Sequence, residues 1–136
     1  MYKLAILDDD EHWCRIVERF MKQEYAVETY KSVSRFLWEI EELNQYDIFL
    51  VDFVLLPTAQ YEPNIDGIQI VADLKRDLPR SPVVILATAY MSKNELEVHG
   101  KQMCPEADGF FAKDAGLELL ANQMKRLLTA GTTEDI

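Results

Sequence analysis

The sequence is short of basic residues, cysteine and glycine, and each shortage removes a class of function. Fourteen lysines and arginines face twenty-four aspartates and glutamates, a net charge of −10. Such a chain repels phosphate backbones and anionic lipid surfaces, which argues against direct nucleic-acid binding and against membrane docking. Only two cysteines occur, Cys14 and Cys104, and neither lies in a C-x-x-C pair. That excludes a disulfide framework and gives no support to a zinc site; reduced thiols in a cytoplasmic protein are the expectation. Glycine occurs five times in 136 residues, and no Ser/Thr/Gly-rich loop follows the first apolar run, as a flavodoxin-like cofactor binder would need. No apolar run approaches the length of a membrane span, and the opening stretch before Asp8 is too short for a signal peptide.

What remains is a regular alternation of apolar runs and amphipathic stretches. Lys3 to Leu7, Ala26 to Tyr30, Asp47 to Phe53, Pro82 to Ala87 and Asp108 to Ala112 read as five short buried strands. Between them, Glu11 to Gln23 places Trp13, Ile16, Val17 and Phe20 on one helical face. Ser32 or Ser34 can cap a second helix through Leu43, with Phe36, Leu37, Ile40 and Leu43 as its stripe. Asp66-Gly67 opens a third, Ser92 with Glu95 forms a capping box for a fourth to about Lys101, and Leu117 to Leu128 lines a fifth. Residues 55–65, with two prolines and no period, read as a long loop. The chain is expected to form one domain over residues 1–130 with a polar tail at 131–136.

Strands alternating with helices imply an α/β fold with a doubly wound parallel sheet. In such sheets ligands bind beyond the carboxyl ends of the strands, at the switch in strand order. The chemistry-bearing residues stand at those ends: Asp8, Asp9 and Asp10 after strand one, Asp52 after strand three, Thr88 after strand four and Lys113 after strand five. With strand order 2-1-3-4-5, Asp8, Asp9 and Asp52 converge. Clustered carboxylates repel one another, and a fold tolerates them where a cation belongs; hard oxygen ligands suit Mg²⁺. One carboxylate can then serve as nucleophile toward a phosphoryl donor, with the lysine neutralising the transferring oxygens and the Thr88 hydroxyl donating to one of them. Asp10 reads as the cap of the first helix, and His12 and His99 as solvated helix residues.

These pieces resemble the receiver domain of bacterial two-component response regulators: I-L-D-D-D near the start, F-L-V-D-F, D-G at 66 and 67, V-V-I-L-A-T-A at 83–89 and D-G-F-F-A-K at 108–113. The resemblance covers essentially the whole chain and implies a five-stranded, three-layer flavodoxin-like fold. It implies Asp8 and Asp9 as the metal pair for Mg²⁺, Asp52 as phospho-acceptor and further metal ligand, and the Val54 carbonyl as another. Thr88 becomes the switch hydroxyl, with Ala87 the alternative by distance from Pro82, Lys113 the phosphate-contacting lysine, and Phe110 the aromatic that turns inward on activation. It implies a sensor histidine kinase or phosphotransfer protein as donor, a downstream protein partner at the face of the fourth helix, fifth strand and fifth helix, and a homodimer as one possible assembly. Fourteen positions separate Asp52 from Asp66, about double the family's usual gap, and Asp114 follows Lys113 where the family usually has proline. Val54 and Tyr90, two positions beyond Asp52 and Thr88, would flank the path of a hydrolytic water, with Tyr90 able to cover the phosphoryl group. Two other readings use the same residues: a receiver-like module that binds a partner without phosphorylation, and a haloacid-dehalogenase-like phosphohydrolase built on D-x-D at residues 8–10. The latter needs an acidic motif after the lysine strand, where only Asp114 and Glu118 follow.

Overall fold

The computed structural model describes residues 1–39, 42–54 and 66–134. Five strands, β1 (Tyr2–Leu7), β2 (Tyr25–Tyr30), β3 (Ile48–Asp52), β4 (Val83–Thr88) and β5 (Gly109–Ala112), alternate with five helices. The helices are α1 (Glu11–Met21), α2 (Val33–Trp38), α3 (Gly67–Asp77), α4 (Lys93–Met103) and α5 (Leu117–Glu134). The sheet is parallel throughout, in the order β2-β1-β3-β4-β5. This is the order 2-1-3-4-5 on which the convergence of Asp8, Asp9 and Asp52 depends.

The three central strands carry apolar side chains on both faces, as strands buried from both sides must. Leu4, Ile6, Ile48, Leu50, Ile85 and Ala87 join Cys14, Val17 and Met21 of α1 and Leu120 and Met124 of α5 in one core. The intervening residues Ala5, Leu7, Phe49, Val51, Val84 and Leu86 face Val33 and Phe36 of α2 and Ile70, Val71 and Leu74 of α3 in the other. At the amino end of β5, Lys75 of α3 pairs with Asp108 at 2.8 Å, and the same carboxylate accepts the Val84 N–H at 2.8 Å.

Local chemistry sets the helix ends. Asp10 caps α1 by accepting from the N–H groups of His12 and Trp13. Ser32, rather than Ser34, caps α2 through the Arg35 N–H, and Asp66 caps α3 through that of Gln69. The Ser92–Glu95 capping box opens α4.

Three expectations change. The second helix ends at Trp38, and a separate 3₁₀ turn follows at Glu42–Gln45. Glu39, Glu41 and Glu42 would have crowded the negative end of a longer helix. In α1 the buried face is Cys14, Val17 and Met21, whereas Ile16 and Phe20 are 37% and 46% exposed. The apolar stripe is wider than the area the sheet covers. Finally, α5 runs to Glu134, into the stretch read as a polar tail, and the Thr129 hydroxyl bonds back to the Lys125 carbonyl within it. The loop expected at 55–65 lies outside the described residues, as does Ile40 of the expected second-helix stripe.

Candidate functional site

Alternate side chains of a strand share a face, and this parity gathers the charged residues. Asp8 continues the row of Leu4 and Ile6, Asp52 that of Ile48 and Leu50, and Lys113 that of Phe111. All five apolar residues lie in the core under α1 and α5. The three charged groups therefore emerge on the α1 side of the sheet, at its carboxyl edge. Leu7 pairs with Val51, so Asp8 and Asp52 follow one step later on neighbouring strands. Lys113 comes from two strands away. At the level of Asp52, the strand between presents the small side chain of Ala87 on that face.

The lysine reaches its targets. Its Nζ lies 2.6 Å from Asp8 Oδ2 and 3.5 Å from Asp52 Oδ1, with only 12% of the side chain exposed. Asp8 is fully enclosed, and its Oδ1 accepts the Asp10 N–H at 3.0 Å. Asp8, Asp9 and Asp52 each offer a carboxylate oxygen, all within 4.8 Å of one another. Three hard oxygen donors against one ammonium leave excess negative charge, a donor set that could hold a divalent cation such as Mg²⁺.

Burial raises the Asp52 pKa to about 7, helped by the neighbouring charge of Asp8 and opposed by Lys113. Asp8 is also raised, again chiefly by burial, against the hydrogen bond from Lys113. Burial would lower the Lys113 pKa, but the contacts and charges of Asp8 and Asp52 outweigh it and the net direction is up. The two acids are thus held poorly solvated, and the lysine is held charged.

Thr88 ends β4 fully enclosed, its hydroxyl accepting the Tyr90 N–H at 3.0 Å. That leaves the hydroxyl proton free to donate elsewhere. Tyr90 itself is 80% exposed, so its ring stands in solvent rather than over the acids. Val54 is half-buried just past β3. Phe110 is not part of the acid cluster. It is half-buried, packs on the α2/α3 core and lies over Gly100 of α4. It also lines a cleft of about 390 Å³ between α4, β5 and α5, with Leu96, Leu119, Asn122 and Arg126.

Two functional contacts escaped the sequence reading. A Cβ at Gly67 would stand 2.0 Å from the Asp52 carbonyl oxygen, so only glycine lets α3 start this close to the end of β3. The D-G pair was visible, but its steric reason lies in the fold. Trp13, read only as an apolar helix residue, lies under Lys113 with Nζ 5.3 Å from the ring centroid. Its place in the first turn after the acidic strand end was the available clue. After Lys113 the chain makes a 3₁₀ turn through Ala115 and then passes Gly116 at φ +98°, a conformation that favours glycine.

Residues 4–125 match the response regulator receiver domain family. The chain belongs to that family. Among solved structures, the BeF3-activated DrrB receiver domain is 25% identical with a TM-score of 0.73, covering 95% of this chain and 98% of that one. The response regulator DrrB of Thermotoga maritima is 27% identical with a TM-score of 0.75 over 96% of this receiver domain. The match covers 54% of that regulator, so the receiver domain spans about half its length. TrrA from the same organism, in complex with Mg²⁺-BeF, shares the fold at 18% identity, with a TM-score of 0.71 over 93% of this chain and 99% of that one. Comparison with curated protein sequences finds no match. Among the described residues, no helix is long and apolar enough to cross a membrane.

Proposed function

We propose that this receiver domain is a phosphorylatable switch of a two-component system, with Asp52 as the acceptor. The observation that carries the reading is the meeting of Asp8, Asp9 and Asp52 within 4.8 Å, with the Lys113 ammonium between Asp8 and Asp52. A carboxylate oxygen of Asp52 attacks the phosphorus of a phosphohistidine on a sensor kinase or phosphotransfer protein. The P–O bond forms as the P–N bond breaks, and the electron pair leaves with the imidazole nitrogen. Lys113 balances the charge of the phosphoryl oxygens, and Thr88 donates its free hydroxyl proton to one of them. Mg²⁺ held by Asp8, Asp9, Asp52 and the Val54 carbonyl would supply the remaining positive charge. The BeF3-activated state of the DrrB relative supports an acceptor site of this kind.

Phe110 reports the state of the site by turning from the α4 side toward the interior. The signal leaves through the face of α4, β5 and α5, to a protein partner or a second copy of the chain, in the cytoplasm. Intact mass after incubation with acetyl phosphate and Mg²⁺ tests the reading. One added phosphoryl group is expected in the parent and none in Asp52→Asn or in chelator. Labelling that persists in Asp52→Asn moves the acceptor elsewhere. A folded parent that never labels would instead be a protein-interaction module.

A further inference from the structure

We infer that Trp13 is a positioning residue for Lys113, its indole face a shelf that keeps the ammonium over Asp8 and Asp52. The inference rests on the phosphorylation reading above and adds to it a residue outside the acid cluster.

Lysine carries its charge on four rotatable carbons, so backbone placement alone does not fix where the ammonium sits. Lys113 moreover opens a 3₁₀ turn rather than lying inside a strand, and the Asp114 that follows is exposed. Something else must hold the stem across two strands. Asp8 and Asp52 hold it from one side at 2.6 and 3.5 Å, and the Trp13 ring faces its Nζ at 5.3 Å. That distance lies within the range over which an aromatic face attracts a cation, and indole is the strongest of the aromatic faces.

The ring is itself fixed. Trp13 stacks on Phe111 of β5 with centroids 6.2 Å apart and planes 24° from parallel. Phe111 is fully enclosed and sits two residues before the lysine, so shelf and stem share one anchor. The indole Nε1–H is buried with no hydrogen-bond partner among the described residues. No polar contact therefore orients the ring. Its orientation follows from packing, against Phe111 and the core around it, with the ammonium over its face. A tryptophan kept at the cost of an unpaired N–H is accounted for by what its face holds.

The two tryptophans make the test direct, because Trp38 is 89% exposed and can be removed by Trp38→Phe to leave Trp13 as sole reporter. In that background Trp13→Leu should slow labelling by acetyl phosphate by about fivefold to tenfold, the scale of a desolvated cation–π contact. Trp13→Phe keeps an aromatic face and loses the unpaired N–H, and should recover to within about twofold of the parent. In a Lys113→Met background, followed with enough acetyl phosphate to give a readable rate, Trp13→Leu should produce no further loss, because its effect passes through the lysine. Equal rates in Trp13→Leu and the parent would overturn the inference, as would the same further loss with and without Lys113. Should Trp13→Leu not fold, the emission of Trp13 decides. Lys113→Met should shift it in the unphosphorylated protein, and an unchanged spectrum refutes the contact. If the Trp38→Phe protein folds but is never labelled, the phosphorylation reading fails, and the emission comparison still judges the contact separately.

Discussion

Asp52→Asn should make the metal-free protein more stable at pH 8 and give a clearly smaller gain at pH 5. The folded state holds the Asp52 proton up to about pH 7, whereas the unfolded chain releases it near the ordinary 3.8. Between those values the native state binds more protons than the unfolded state, so stability falls as pH rises. The contribution of Asp52 is fully present below about pH 4 and is lost as pH climbs through 7. About three pKa units at 1.36 kcal/mol each set an upper bound of about 4 kcal/mol on the penalty at pH 8. Asparagine keeps the shape and removes the charge, but it also removes the 3.5 Å partner of Lys113. Lys113 retains Asp8 at 2.6 Å, so only part of the gain is lost. A net gain of about 1–2 kcal/mol remains, which for a domain of this size is a rise of roughly 4–8 °C in Tm.

Thermal unfolding in chelator at pH 5 and pH 8, parent against Asp52→Asn, reads this directly. Added Mg²⁺ should reverse the order at pH 8, because a cation that binds only the native parent stabilises it alone. A variant that melts lower than the parent at pH 8 would falsify the reasoning. So would an equal gain at both pH values, which would mean that the acid was never held in a poorly solvated state.

Three further outcomes follow from packing. Gly67→Ala should cost at least about 3 kcal/mol or prevent folding, since the new methyl would overlap the Asp52 carbonyl, and chemical denaturation measures it. Gly100→Ala places a Cβ 2.9 Å from the Phe110 ring, and despite its better helix propensity it should destabilise by about 1–2 kcal/mol. In a Phe110→Ala background that loss should vanish, and a double-mutant cycle tests it. Both thiols are buried and free, and burial pushes Cys14 up to about 12, so a thiol reagent should find almost none in the native protein and two after denaturation.

The parts of the site that could be read from the sequence are those where polarity changes abruptly. Each of Asp8, Asp52, Thr88 and Lys113 ends a run of apolar residues, and a parallel sheet sends every such end to the same edge. Period-two alternation then decides which of them share a side, which is why Asp8, Asp52 and Lys113 meet. Counting along the strands also separates Phe110 from them: it is one residue from Phe111, and therefore on the opposite face, against α4.

What could not be read depends on which surfaces cover which. The stripe Trp13, Ile16, Val17 and Phe20 is continuous in sequence, yet the sheet takes only the Val17 side of it and leaves Ile16 and Phe20 in solvent. Apart from its place in the first turn after the acidic strand end, nothing local distinguishes Trp13 from Ile16. The difference is that Phe111 arrives from the far end of the chain beneath one and not the other. Gly67 and Gly100 follow the same logic, since each is required by one atom group that approaches from another element, the Asp52 carbonyl and the Phe110 ring. The charged residues at this edge are therefore specified by strand position, a local property. The residues that hold them in place, Trp13 and Gly67 among them, are specified by close approach between elements. A substitution at the first kind should change chemistry while the fold persists, and one at the second should disturb geometry first and chemistry only through it.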